Sequence, residues 1–305
     1  MGREGHSTYN FIRRYLPEQK LIIADAKQVE IDDPNVELIC GDGYLDAINR
    51  ADTVIKAPGV PLLHWKRPQG VEITCQTDLF LRYSGFNCVG VTGTKGKTTT
   101  STLIYSMLRA AGKEACLIGN MGYPVFDSLE DCAGETAVIE MSSHQLEFTS
   151  RSPHIAVLTN IYPEHLDHYD SFECYVGAKL NIVRNQGEGD TFIYNADQGL
   201  DGFFDLSEYP GEAVGVSVNT PDAEKYRDIN PHLLGEHNIQ NCMFAAEAAR
   251  RCGVSDEDIM RALKDYEGIE HRMEFFATVK GIKFVNDCIA TIPHSVMCAV
   301  EALGD

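Results

Sequence analysis

Basic residues are scarce in this chain. Lys and Arg number 26 against 45 Asp and Glu over 305 residues, a formal net charge of −19. No basic stripe is left over to meet a polyphosphate backbone, which argues against a nucleic-acid partner but leaves room for a local phosphate site. Long apolar runs are missing too. The longest are strand-length, so the sequence offers no segment for membrane insertion, and the N-terminus lacks the basic-then-apolar pattern of a signal segment. Ten cysteines are scattered with no Cys-x-x-Cys pair among them, which speaks against a zinc knuckle or a dithiol redox site. With no export signal they read as reduced thiols, and the chain as cytoplasmic. Internal repeats and low-complexity tracts are also missing. What remains is ordinary globular material, 44% hydrophobic, long enough for two domains with part of a third.

The most informative stretch runs Cys88-Val89-Gly90-Val91-Thr92-Gly93-Thr94-Lys95-Gly96-Lys97-Thr98-Thr99. An apolar strand from Phe86 to Thr92 enters a glycine-bracketed turn, and a helical pattern follows at once. That order predicts a phosphate cradle: main-chain N–H groups and a helix N-terminus face an anion, Lys97 adds a point charge, and Thr98 offers a hydroxyl to Mg2+. The usual spacing would put a glycine where Val91 stands, so this is the shorter Gly-Thr-x-Gly-Lys-Thr form found in one group of ATP users.

Strand and helix patterns alternate throughout, which predicts an α/β protein in three parts. Residues 1–84 read as a Rossmann-like unit. Gly2-Arg3-Glu4-Gly5 resembles the glycine turn after a first strand, a helical spacing covers Tyr9 to Leu16, and Leu21–Asp25, Val36–Ile39 and Thr53–Ile55 are short strands. Residues 85–268 form a central P-loop parallel sheet with flanking helices. Its strands include Ala137–Ile139 ending at Glu140, Ile155–Leu158 and Phe192–Tyr194. One helix runs from about Asn238 to Cys252, and Ser255–Asp258 opens the next with a capping box. Residues 269–305 open a third α/β domain with one strand, Ile282–Asp287, and one helix, Pro293–Leu303. A single βα unit cannot bury its own apolar faces. The expectation is therefore a piece of a longer protein, lacking its first strand and most of its last domain.

Chemistry-bearing residues gather after the central strands. Glu140 is placed to hold magnesium, or is an exposed acid at a strand end. Glu164-His165-Leu166-Asp167-His168 follows the next strand, where α/β sites assemble; His165 is a metal or substrate ligand, or part of a solvated loop, or a histidine capping a helix. Lys179 on its own reads as a surface charge. Asn238 and Asn241 share a helix face and either read a base edge or cap the helix. Arg272 is a phosphate clamp or an interdomain ion pair.

Taken in order, these residues resemble the ATP-dependent Mur ligases of peptidoglycan synthesis, over nearly the whole chain. Gly93-Thr94-Lys95-Gly96-Lys97-Thr98 is similar to the family's ATP loop. Gly119-Asn120-Met121-Gly122 is similar to its Gly-Asn-Ile-Gly. Glu164-His165-Leu166-Asp167 and Ala178-Lys179-Leu180 are similar to the segments bearing its metal histidine and carbamylated lysine. Glu140-Met141-Ser142-Ser143-His144-Gln145-Leu146-Glu147 resembles the Leu-Ser-Ser-Phe-Gln-Leu-Glu run of the D-glutamate-adding branch.

The resemblance implies an acyl-phosphate ligase joining UDP-N-acetylmuramoyl-L-alanine to D-glutamate with ATP and Mg2+, acting as a monomer. Lys97, Lys179 and His165 would be catalytic. Thr98 and Glu140 would hold one magnesium, and His165 with carbamylated Lys179 another. Besides Gly93 to Thr99, the ATP set would take in Asn238 and Asn241 at adenine, with Arg272 and Asp287 at ribose or phosphate. The UDP substrate would meet Gly2, Arg3, Glu4, Gly5, Ala26, Lys27, Gly59, Asn120, Ser142, His165 and Thr291. The family's Asn-Asp-Ser-Lys-Ala-Thr becomes Asn286-Asp287-Cys288-Ile289-Ala290-Thr291, which removes a lysine near the nucleotide. With its D-glutamate domain cut short, the chain is expected to bind nucleotide and ligate poorly. An L-alanine-adding ligase, a folate polyglutamate synthase and a non-catalytic UDP-sugar-binding fragment are the competing readings.

Overall fold

Alternation of strand and helix is realised from the first residues of the computed structural model, which describes residues 1–62, 68–119, 124–129, 132, 136–288, 290 and 293–303. The opening part holds α1 (Arg3–Tyr15), β1 (Leu21–Asp25), β2 (Val36–Cys40), β3 (Thr53–Ile55), β4 (Glu72–Thr74) and α2 (Gln76–Tyr83). β1 pairs with β2 and β3 with β4, both in parallel. Gly2 to Gly5 is not a turn before a helix. Gly2 is the N-cap and the helix begins at Arg3. β4 and α2 went unread, because Glu72–Thr74 is too short to show a period.

The central part comprises β5 (Asn87–Thr92), α3 (Lys97–Ala110), β6 (Ala115–Gly119), β7 (Thr136–Glu140), α4 (Ser143–Leu146), β8 (Ile155–Leu158), α5 (Phe172–Arg184), β9 (Thr191–Asn195), β10 (Glu212–Val216), α6 (Glu236–Arg251) and α7 (Asp256–Lys264). Its six strands form one parallel sheet in the order β10-β9-β8-β5-β7-β6. Chain order runs outward from β5 to β6, returns through β7, then crosses to β8. The switch point therefore lies at the carboxyl end of β5, flanked by β7 and β8, the place where doubly wound sheets bind ligands.

Both faces of the sheet are covered. Val89, Val91, Val138, Val157 and Ile193 pack with Leu103, Ile104, Phe244 and Leu263 from α3, α6 and α7. Cys88, Ala137, Ile139, Ala156 and Phe192 pack with Phe80, Tyr175 and Ile182 from α2 and α5. Burial on two sides explains why these strands are continuous apolar runs rather than alternating ones. The Ser255 cap is present: its hydroxyl accepts from Asp258 N at the start of α7.

The last part holds β11 (Glu274–Val279), β12 (Ile282–Asn286) and α8 (Pro293–Leu303). β11 and β12 are antiparallel. The expected single strand is thus one arm of a hairpin. Its partner was missed because Glu274–Val279 is irregular, with a register shift between Phe275 and Ala277. The reading of every cysteine as a free thiol is also corrected. Cys116 and Cys132 form a disulfide with Cα atoms 5.5 Å apart; a pairing made by tertiary contact leaves no local trace in the sequence.

Candidate active site

The loop after β5 is built around two glycines. A Cβ on Gly93 (φ +153°) would fall 1.9 Å from Thr159 Oγ1, and one on Gly96 (φ +85°) would fall 2.5 Å from Asn241 Oδ1. Neither position has room for a side chain or an ordinary backbone for one. The neighbouring strand ends then fasten the loop. Thr94 N donates to Asn160 O at 2.9 Å and Lys95 N to Asn160 Oδ1 at 2.8 Å. Thr92 Oγ1 donates to Met141 O at 2.7 Å, and Thr159 Oγ1 donates to the carbonyl of Lys95 at 2.6 Å. The ends of β5, β7 and β8 are one hydrogen-bonded unit.

A cleft of about 270 Å³ opens over this unit, with Gly59, Lys97, Ser142, His144, Glu164, His165 and Lys179 in its walls. Lys97 Nζ donates to the carbonyls of Gly93 and Thr94 at 2.9 and 3.0 Å. Burial lowers its pKa, and the charges of Glu140 and Glu164 oppose that. Glu140 is 2% exposed, opposite Val91 in the β5–β7 register.

Lys179 corrects its surface reading. It is 2% exposed on α5 and donates to Gly93 O at 2.8 Å. Burial, reinforced by the nearby Lys97 charge, drives its pKa well below that of a free lysine. Thr94 and Thr99 are buried, and Thr94 Oγ1 shares a 2.9 Å hydrogen bond with Tyr175. Lys95 bonds Glu164 at 2.8 Å. Burial pushes the Glu164 carboxyl up, but the Lys95 bond and charge outweigh that and leave its pKa below the usual range. His165 sits in the left-handed region at φ +56°, an uncommon conformation for a non-glycine residue. Burial lowers its pKa, opposed by Glu164.

Other residues do not reach the cleft as expected. Asn238 is not a cap, because α6 starts at Glu236 with Gly235 as N-cap. Neither asparagine turns its amide outward. Both are 6% exposed, Asn238 donates to Leu234 O, and Asn241 donates to Asn238 while accepting from Thr100. Asn241 backs the loop after β5, at Gly96. Ser142 caps α4 in a capping box with Gln145. Glu4 is half-buried against α4 and accepts from Gln145 Nε2 at 3.2 Å. Ala26 and Lys27 are exposed after β1, where Lys27 N donates to Asp25 at 2.8 Å; Arg3 is exposed on α1. Asp287 accepts from Met273 N at 3.2 Å and stays with the hairpin. Arg272 forms no ion pair among the described residues; its charge acts on Lys97, and its Nε is buried without a hydrogen-bond partner among the described residues. Asn120, Ile289 and Thr291 lie outside the described residues.

Sequence reasoning missed His144 and the Lys56–Glu147–His168 cluster beside it. The His144 ring packs at 4.8 Å from His165 and 4.2 Å from His168. Burial and the neighbouring imidazoles push its pKa down to about 4. The Ser142-x-x-Gln145 spacing was the available signal, since it starts the helix that carries His144.

Residues 91–208 match the Mur ligase middle domain. The UDP-N-acetylmuramoylalanine--D-glutamate ligase of Geobacillus kaustophilus is 32% identical over 310 residues, which cover 94% of this chain and 68% of that protein. The chain belongs to the Mur ligase family. A like-named ligase of Clostridium kluyveri is 32% identical over 90% of this Mur ligase, which spans 64% of that relative's length. Among solved structures, MurF of Thermotoga maritima in complex with ADP superposes with a TM-score of 0.62 at 18% identity, covering 97% of this chain and 68% of that one. MurC from the same organism superposes at 0.58 and 21% identity, covering 83% of this chain and 63% of that one. These superpositions support the α/β fold. Among the described residues no helix is long and apolar enough to cross a membrane.

Among the described residues, one pair of oxygen ligands is of the kind that magnesium would take. Among the described residues no group of three His, Cys, Asp or Glu could hold a metal by itself. A hard cation shared with phosphates needs only one or two protein oxygens. The Glu140 carboxylate and the Thr98 hydroxyl, on neighbouring elements at the switch point, are of that kind. An unmodified Lys179, which donates a hydrogen bond to Gly93 O, is no such ligand.

Proposed function

We propose that this chain binds ATP in the loop from Gly93 to Thr99 and activates the L-alanyl carboxylate of UDP-N-acetylmuramoyl-L-alanine for amide formation with D-glutamate. The observation that carries the reading is the convergence of Lys97, Glu164, His165 and Lys179 on one cleft over a glycine-built phosphate loop. The names of the relatives support the substrate assignment. Under this reading residues 1–84 take the UDP group, 85–268 the ATP, and 269–305 open the domain that completes the site.

A carboxylate is a poor acylating agent. Its oxygen attacks the γ-phosphorus of ATP in line and ADP leaves. The amine of D-glutamate then attacks the acyl carbon, and inorganic phosphate departs with the C–O electron pair. Loop amides and the Lys97 ammonium hold the phosphate oxygens during transfer, at positions fixed before the substrates arrive. Arg272, with its buried Nε, provides a further donor on the nucleotide side. Bound at Thr98 and Glu140, magnesium would neutralise developing charge on the phosphates. Lys179, whose pKa burial lowers, is suited to add CO2 as a carbamate with loss of a proton, which would convert a donor into an oxygen ligand beside His165. Glu164 orients Lys95, and His165 faces the reacting end of the acyl substrate.

The test offers the purified chain MgATP, UDP-N-acetylmuramoyl-L-alanine and single amino acids while phosphate release is followed. Release above background with D-glutamate, and none with L-alanine on UDP-N-acetylmuramate, is the expected pattern. The reverse preference would overturn the branch assignment.

A further inference from the structure

The cleft takes its walls from separate parts of the chain. Pro58 and Gly59 follow β3, and His165 follows β8. One carboxylate connects them. Glu147 Oε2 meets Lys56 Nζ at 3.3 Å and His168 Nε2 at 3.1 Å. Lys56 also donates to the carbonyl of Pro58 at 3.3 Å. On the other side, His168 N donates to His165 O at 3.0 Å. Each partner of Glu147 is thus one hydrogen bond from a cleft wall.

The cluster is costly to keep. Lys56 is 5% exposed, and its ammonium lies 5.3 Å from the Phe148 ring centroid. A buried ion pair carries a desolvation penalty that an apolar contact of similar volume avoids, so it is weak as a source of stability alone. What it supplies is a directional joint. The backbone beneath it is fixed as well: Asn181 Nδ2 donates to the carbonyls of Leu146 and Glu147 at 2.9 and 3.4 Å. The phosphate loop is held by other groups, Asn160 and Thr159.

We propose that Lys56, Glu147 and His168 form a positioning joint for the UDP-linked substrate, setting the Pro58–Gly59 wall against His165 so that the acyl end arrives over Lys97 and Lys179. This rests on the ligase reading and adds to it residues that touch neither nucleotide nor reacting atoms.

Calorimetric titration of the full chain with UDP-N-acetylmuramoyl-L-alanine, and separately with a non-hydrolysable ATP analogue and Mg2+, tests it. Lys56→Met replaces the buried cation with an apolar chain of similar length and leaves Glu147 its bond to His168, and circular dichroism checks that the variant is folded. It should weaken the UDP ligand about tenfold and change the ATP analogue by less than about twofold. Glu147→Gln should do the same, and the double variant should be no weaker than either single one. The inference is overturned if Lys56→Met binds the UDP ligand as tightly as the wild type, or if both ligands weaken alike, as simple destabilisation would give. It is equally overturned if the losses add in the double variant, which would place Lys56 on the ligand itself. A wild-type chain that binds no UDP ligand at all would remove the ligase reading instead.

Discussion

At the scale of single residues, the site is defined by what has no room to change. Gly93→Ala would set a methyl carbon 1.9 Å from Thr159 Oγ1. We expect a loss of about 2 kcal/mol or more in urea unfolding, together with loss of ATP binding. A variant with wild-type stability would refute the packing described for the loop. His144 gives a pH signature. Its folded pKa, about 4, lies below its ordinary 6.5, so the unfolded chain binds more protons between those values. Stability from this group is therefore fully present above pH 6.5, falls as the pH drops toward 4, and changes no further below that. His144→Phe should flatten this limb of the stability profile; an unchanged acid limb would show that other groups set it. Residue types were legible in the sequence, but their surroundings were not. Lys179 gave no sign of burial, because burial comes from β5 and α5 meeting, and nothing in Ala178-Lys179-Leu180 reports that contact.

At the scale of elements, the strands of the sheet were readable because both faces are buried, which leaves Val, Ile and Ala in unbroken runs at Thr136–Glu140 and Ile155–Leu158. Shorter or irregular strands such as β4 and β11 offered no such run. The end of a helix was read well where a side chain closes it, as at Ser255, and poorly at α6, where Gly235 caps through its backbone alone. The four-residue α4 is too short to persist by helical propensity. It depends on its capping box, in which Ser142 Oγ accepts from Gln145 N and Gln145 Oε1 accepts from Ser142 N. Ser142→Ala should therefore cost about 1 kcal/mol by chemical denaturation and weaken the UDP ligand by displacing His144 from the cleft wall. A variant indistinguishable in both measurements would mean that α4 is held by its packing against α5.

At the scale of the molecule, stability is uneven. The six-stranded sheet is buried between two large apolar clusters. Among the described residues, the opening part has only Ile48, Val71 and Ile73 as a buried cluster of its own. It leans on the central part through contacts such as Ser150 N, in the loop before β8, donating to Asp78 at 2.6 Å. Native-state hydrogen exchange should find the β1–β2 amides opening before those of β5 and β7; equal protection would contradict this division. The same sheet presents its switch point to the cleft, so the most stable part of the molecule holds the groups whose geometry must not move. The central claim is that the terminal phosphates of a nucleotide lie in the loop ahead of Thr98, against Lys97. The most direct measurement is titration of MgATP into the wild type and Lys97→Ala. Loss of one charge-assisted contact predicts binding weaker by about thirtyfold, or ~2 kcal/mol, with the fold intact by circular dichroism. An unchanged affinity in the folded variant would contradict it.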